Sequence, residues 1–226
     1  QIKQYKFLFE KNFSDNHLIL FGVNTLVEGK TNNQIYNSLV VINNKFEIIF
    51  KYDKQKLVPF GEFLPFKSIL SKLGLKKITE GYGSFSSGNQ TNVFLLNNLK
   101  LLPLICYEII FPELSRNQIQ KNLIVNISED AWFGKTSGPS QHFAKAVFRA
   151  IENNVFLIRS ANKGFSAFID NKGKVKKIIK PNETGAIELD VPLINNTQLK
   201  YKIDLIFFVL LFTCVFIFVI FNKNEN

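Results

Sequence analysis

Methionine is absent from the 226-residue sequence, tryptophan occurs once, and cysteine and histidine occur twice each. Two thiols cannot build a disulfide framework. Cys214 lies inside an apolar C-terminal segment, away from Cys106, so the two are not expected to pair and a lone thiol is left free. The sequence opens on Gln1 with neither an initiator methionine nor a signal-peptide pattern, which fits a piece of a longer protein cut on its N-terminal side. No repeat of fixed period is present. No metal and no cofactor are expected. Although the net charge is +10, the lysines are scattered, and no helical stretch carries a basic stripe interleaved with aromatics. Nucleic acid is therefore not an expected partner. The charge suits either a solvated lysine-rich surface or a face lying against anionic lipid headgroups.

What is present describes a folded protein: 46% hydrophobic residues and 20% charged ones, with room for one sizeable α/β domain and a short extra element. The 24 phenylalanines accompany abundant Ile, Lys and Asn and look like a chain-wide bias without functional content. Residues Gln1–Asn16 carry apolar positions at helical spacing, and His17–Gly22 reads as a short buried strand. Tyr36–Ile42 and Lys45–Tyr52 form a hairpin expected to turn on Asn43-Asn44. From Asp53 to Pro65, two prolines and a glycine among apolar and charged residues mark a fixed loop, the usual home of binding residues. A helix is expected over Phe66–Leu73 and an irregular surface excursion over Gly81–Asn92. Val93–Leu96 and Lys100–Ile105 make a second hairpin. Leu123–Ile127, Phe156–Ala161, Gly164–Asp170, Val175–Ile179 and Gly185–Leu189 read as strands, and Pro139–Asn153 as a helix with proline near its start.

Leu205–Phe221 is apolar throughout except for Thr213, and a helix of that length spans about 25 Å. A transmembrane helix over residues 203–222 is expected, after a folded domain over residues 1–200. Lys200 and Lys202 on one side and Lys223 on the other differ by one charge, which taken alone would leave the domain in the cytoplasm.

The organising stretch is Leu101–Leu114, where an unbroken apolar run ends on Cys106 and is followed at once by Tyr107-Glu108 and a segment able to turn into a helix. A thiol at a strand-to-helix elbow gains from the backbone N–H groups exposed there, though an apolar filler cysteine has the same address. A cysteine nucleophile also needs a proton acceptor and a hold on the developing oxyanion. His17 opens a strand far from these motifs and reads as structural. His142, near the start of the Pro139 helix, permits a Cys106–His142 dyad. The alternative is a lysine with carboxylates: Lys54 sits at a strand end as Cys106 does, and Glu62 and Glu108 lie nearby in sequence.

The constellation resembles bacterial apolipoprotein N-acyltransferases, in the nitrilase or carbon–nitrogen hydrolase superfamily. The resemblance is carried by Tyr52–Pro65 (YDKQKLVPFGEFLP), Ile105–Glu108 (ICYE), Asn126–Gly134 (NISEDAWFG) with Gly138–His142 (GPSQH), then Arg149–Glu152 and Arg159–Gly164. It implies a nitrilase-like α/β/β/α sandwich, N-terminally incomplete here, followed by one transmembrane helix. It also implies a thioester on Cys106, Lys54 as the lysine of a Glu-Lys-Cys triad, and Glu62, Tyr107 and Glu108 as supports of the site, the Tyr107 N–H completing the oxyanion hole. In that family His142 is not the base. The acyl donor would be a phospholipid, phosphatidylethanolamine in particular. The acceptor would be the N-terminal cysteine amine of a diacylglyceryl-modified apolipoprotein. The location would be the bacterial inner membrane, with the domain facing the periplasm. The family's general-base glutamate has no match in this sequence, Glu10 falling elsewhere, so the chain alone is expected to be nearly inert. Two alternatives are a membrane-tethered C–N hydrolase that passes the acyl group to water, and a non-catalytic membrane-anchored binding domain.

Overall fold

A computed structural model describes residues 6–29, 33–66, 84–89, 93–116, 120–194 and 203–223. Among these, three antiparallel strands form one sheet in the order β1 (Ile19–Val27), β2 (Gln34–Ile42), β3 (Ile48–Asp53). A second sheet runs β4 (Phe94–Leu96), β5 (Leu99–Ile105), β6 (Leu123–Glu129), β7 (Phe156–Asn162), β8 (Ser166–Ile169), β9 (Val175–Ile179). Its central strands β5, β6 and β7 are parallel, and the outer pairs are antiparallel. Helices α1 (Lys6–Asn12), α2 (Pro112–Arg116), α3 (Gly138–Asn153) and α4 (Ile203–Lys223) complete the described elements.

Side-chain alternation along β5 builds the layers. Leu102 and Leu104 point to the core shared with α2 and α3, beside Leu114, Ala146 and Ala150. Leu101 and Ile105 point the other way, into a core shared with Leu39, Val41 and Tyr52 of the three-stranded sheet. β6 repeats the pattern, with Ile124 on the helix side and Leu123 and Val125 between the sheets. Strands buried on both faces read as continuous apolar runs, which is why LLPLI and LIV carry no polar alternation. The sheets approach closely: a Cβ on Gly22 would lie 3.0 Å from Ile127 Cδ1. Helix, six-stranded sheet and three-stranded sheet are thus three layers of the expected sandwich. α1 touches the β2–β3 turn through Phe9 and Phe46, ring centroids 4.7 Å apart.

Several expectations are corrected. The first strand extends to Val27, well beyond Gly22. The β2–β3 turn runs over residues 43–47 rather than two residues, because Asn43 accepts the Glu47 N–H at 2.9 Å and donates to its carboxylate at 2.7 Å. Phe46 takes φ +64° to close this wider turn. Residues 84–89 are irregular and at the surface, as expected, and are pinned by backbone bonds from Phe85 to Glu62, Ser86 to Ile35 and Gly88 to Lys54. Gly185–Leu189 joins neither sheet. The expected helix over Phe66–Leu73 lies, beyond Phe66 itself, outside the described residues.

The chain divides into two units, residues 1–196 and 197–226. The second consists of α4, 21 residues long, with Thr213 Oγ1 donating to its own helix at Val209 O, 2.7 Å. Among the described residues no helix is long and apolar enough to cross a membrane. Within α4 the described side chains are those of 206–218 and 221, all exposed.

Candidate active site

Strands β3, β5 and β6 end at one rim, and each delivers polar side chains there. β5 runs straight into a turn of 3₁₀ helix, Cys106–Ile110. The change from extended to helical backbone occurs at Cys106 itself, whose φ is +50°. A non-glycine residue in this region is strained by roughly 1–3 kcal/mol and persists only where its surroundings hold it. The half-buried thiol lies 4.0 Å from Glu129 O at the end of β6.

Lys54 follows β3 directly, and its side chain is only 1% exposed. Its ammonium makes a two-pronged contact with Glu62, 2.9 Å to Oε1 and 2.8 Å to Oε2. The same carboxylate accepts from Asn37 Nδ2 at 2.9 Å and from the Val58 N–H at 2.8 Å. Val58-Pro59-Phe60-Gly61-Glu62 folds back on itself, with Glu62 N–H on Val58 O at 2.8 Å, and so brings a carboxylate eight residues away onto the lysine. An ammonium this deep in the protein requires such a partner.

Glu108 ties the lysine loop to the cysteine elbow. It is fully buried. Oε2 accepts the Ile105 N–H at 2.8 Å. Oε1 accepts Tyr52 OH at 2.8 Å and the N–H groups of Gln55 at 2.7 Å and Lys56 at 3.2 Å. One carboxylate therefore grips the residue before Cys106 and the residue after Lys54. Burial pushes the Glu108 carboxyl above the usual glutamate range, against the pull of the Ile105, Gln55, Tyr52 and Lys56 donors. Burial and the adjacent Glu108 likewise push the Tyr52 phenol up, so it remains a hydrogen-bond donor. Tyr107 is half-buried, its ring edge-on to Phe111 at 5.0 Å.

His142 is near Cys106 but not in the way a dyad needs. Its Nε2 meets the carbonyl oxygen of Cys106 at 3.1 Å, and a carbonyl only accepts. Nε2 therefore carries a hydrogen and donates it to the main chain, which removes His142 as acceptor of the thiol proton and corrects the dyad expectation. Nδ1 faces Asp130 Oδ1 at 2.9 Å and Arg159 Nη2 at 3.0 Å. Arg159 also grips both Asp130 oxygens, at 3.0 and 2.8 Å, and donates through Nη1 to Asn126. Although burial pushes it up, the bond to His142, the Arg159 charge and the Ser128 hydroxyl bring the Asp130 carboxyl down to about 2. His17, as expected, serves locally, with Ser14 Oγ 2.8 Å from Nδ1.

Of the sequence-identified residues, Lys54 and Glu62 form one hydrogen-bonded group and Glu108 with its donors a second, which Cys106 adjoins through Ile105. Asn37, Tyr52, Asp130 and Arg159 were not singled out from sequence for these contacts. Tyr52, Asp130 and Arg159 lie within the resemblance motifs, whereas the signal at Asn37 is only polarity inside an apolar strand. Among the described residues no cluster of His, Cys, Asp and Glu has the makings of a metal site.

A thiol at a strained strand end thus stands at one rim with a buried lysine–glutamate pair on the neighbouring segment. The chain belongs to the carbon–nitrogen hydrolase family, whose profile matches residues 11–201. It is similar to apolipoprotein N-acyltransferases from several bacteria. It is 46% identical over 152 residues to that of Allorhizobium ampelinum, covering 66% of this chain and 29% of that protein. It is 41% identical over 181 residues to that of Rhizobium leguminosarum bv. trifolii, covering 78% and 34%. It is 38% identical over 189 residues to that of Rickettsia prowazekii, covering 83% and 38%. The chain therefore spans about a third of the length of these relatives. Among solved structures it resembles an amidase of the nitrilase superfamily from Nesterenkonia, with TM-score 0.54 and 16% identity, covering 80% of this chain and 62% of that one. It also resembles Saccharomyces cerevisiae Nit3, with TM-score 0.52 and 20% identity, covering 72% and 56%. At these identities the two structures speak for the nitrilase-like α/β fold alone.

Proposed function

We propose that this chain carries the acyl-transfer site of an apolipoprotein N-acyltransferase. The observation that carries the reading is the Glu108 clasp, which holds the Lys54 loop and the Cys106 elbow to one carboxylate. In this reading the Cys106 thiolate attacks the carbonyl carbon of a phospholipid ester. The negative charge that develops on the carbonyl oxygen is met by the Lys54 ammonium and the Tyr107 N–H. Collapse breaks the ester C–O bond. The lysophospholipid leaves as an alcohol with the proton first taken from the thiol, and the acyl group stays on Cys106 as a thioester. The N-terminal amine of a diacylglyceryl-modified lipoprotein then attacks the thioester carbonyl, forming the amide and returning the thiol. Glu62 holds the Lys54 side chain in place through both carboxylate oxygens. In this reading a carboxylate, not His142, takes the thiol proton.

An acyl donor that resides in a bilayer calls for an enzyme beside one. The run Leu205–Phe221, apolar but for Thr213, is the sequence feature that supports a place for this domain at the bilayer. We assign α4 as the membrane anchor of this domain, in the bacterial inner membrane with the domain on the periplasmic side. Phosphatidylethanolamine is the proposed donor, and nucleic acid is not a partner.

The test is acyl transfer by the full-length protein, using phosphatidylethanolamine labelled in its acyl chain and a diacylated lipopeptide. The reading predicts that label moves to the lipopeptide amine through a Cys106 adduct. Release of the label chiefly as free fatty acid, with lipopeptide present, would instead establish a hydrolase. No adduct on Cys106 would leave a binding domain.

A further inference from the structure

The strained backbone at Cys106 is held from both sides. Before it, Glu108 fixes the Ile105 N–H. After it, His142 Nε2 donates to the Cys106 carbonyl at 3.1 Å. That carbonyl and the Tyr107 N–H belong to one peptide unit, which is planar and trans, none of the described bonds being cis. The two groups therefore point in opposite directions from a single rigid plate. A bond that fixes the oxygen on its buried side fixes where the N–H points on its other side.

We infer that His142 is a positioning residue for the oxyanion site, aiming the Tyr107 N–H through the Cys106–Tyr107 peptide plane. The inference rests on the acyl-transfer reading, which makes this N–H an oxyanion donor.

The surroundings of His142 have the rigidity such a role requires. The imidazole side chain is 4% exposed and that of Asp130 is fully buried. Asp130 is located by its own backbone N–H on Asn162 O at 2.9 Å and by Ser128 Oγ at 2.6 Å. Arg159 spans Asp130 and Asn126, and Asn126 Nδ2 donates to Leu104 O at 3.0 Å, one strand across in β5. The network thus returns to the strand that carries Cys106. Phe133 closes over the imidazole, ring centroids 5.5 Å apart. No side chain fits at residue 164, where a Cβ would stand 2.1 Å from Asp130 Oδ2. Donation into the carbonyl also polarises the shared amide, which strengthens its N–H as a donor on the other side. Of Cys106, His142 itself meets only the carbonyl, and the Arg159 guanidinium interacts with Cys106 through its charge rather than by a hydrogen bond to the thiol.

Two reactions of Cys106 separate this role from others. Acylation by phosphatidylethanolamine passes through a tetrahedral oxyanion, whereas alkylation by iodoacetamide does not. In the full-length protein, His142→Leu is expected to slow thioester formation about 100-fold while leaving the phospholipid KM and the alkylation rate within about threefold of wild type. His142→Gln, whose amide N–H can reach the same carbonyl, is expected to recover acylation to within about tenfold of wild type. If the leucine variant fails to fold, His142→Asn replaces it, because its shorter amide keeps a polar group but falls short of the carbonyl. Acylation at the wild-type rate in the leucine or asparagine variant would overturn the inference. So would an equal fall in acylation and alkylation, or a glutamine variant no faster than the leucine one. A wild-type protein that forms no thioester would overturn the acyl-transfer reading, and this inference with it.

Discussion

Lys54 is the residue whose environment is hardest to explain without a task. An ammonium 1% exposed, held by one carboxylate, contributes less to stability than an apolar side chain of the same shape would. Removing only its partner leaves a buried charge alone. Glu62→Gln is expected to cost about 3 kcal/mol of folding stability, and Lys54→Met combined with Glu62→Gln about 1 kcal/mol less than the sum of the single variants. Unfolding of the four proteins checks this, and strict additivity would contradict it. Lys54→Met alone should slow thioester formation about 100-fold or more, since it deletes one oxyanion donor. Asp130 gives a pH-dependent counterpart. Its carboxyl is down at about 2, below the ordinary aspartate value of 3.8, so its stabilising contribution is complete above about pH 4. That contribution, of order 2 kcal/mol, is lost as pH falls through 2. The stability gap between wild type and Asp130→Asn should therefore be present at pH 5 and close progressively below pH 4. A gap independent of pH would contradict it. Lys54, Glu62, Glu108 and Cys106 were legible in the sequence because each sits in a short motif. Asn37 was not, and although Asp130 and Arg159 lie in motifs too, their pairing was not, since Asn37 meets Glu62 across 25 positions and Arg159 meets Asp130 across 29.

At the scale of elements, the elbow after β5 concentrates the strain of the site in one residue. Glycine occupies φ +50° without the steric cost that alanine bears there. Cys106→Gly is therefore expected to be more stable than Cys106→Ala by about 1 kcal/mol, both being inactive. Equal unfolding midpoints would show that the elbow is not strained. The strap at residues 84–89 makes a second element-level demand. A Cβ on Gly88 would stand 2.2 Å from Asp53 O, and Gly88 N–H is bonded to Lys54 O at 2.8 Å. Gly88→Ala should loosen the Lys54 loop, seen as faster amide exchange at Lys54 and Gln55. The parallel core strands were readable because apolar runs buried on both faces have few alternatives, and α3 because its proline and apolar spacing agree. The strap was not readable: a Gly-, Ser- and Asn-rich stretch states that the chain is irregular, not where it docks. Nor was the wide β2–β3 turn, which is decided by the side chain of Asn43 reaching Glu47.

At the scale of the molecule, two units with opposite relations to water share one chain. Residues 1–196 bury a two-sided core, whereas the described side chains of α4 are apolar and exposed almost throughout. If α4 anchors the domain, replacing Leu210 and Leu211 with lysines should release the full-length protein's C-terminal segment to protease without slowing alkylation of Cys106. The family and the fold were legible here because the motifs recur in order along the chain. The acceptor of the acyl group was not, since the chemistry at Cys106 is the same up to the thioester whether an amine or water follows. If Cys106 itself carries the acyl group, mass analysis of the full-length protein after incubation with phosphatidylethanolamine finds a fatty-acyl adduct on the peptide containing Cys106. That adduct is removable by neutral hydroxylamine and absent from Cys106→Ala. An adduct on another residue, or one that persists in the alanine variant, would contradict this role of Cys106.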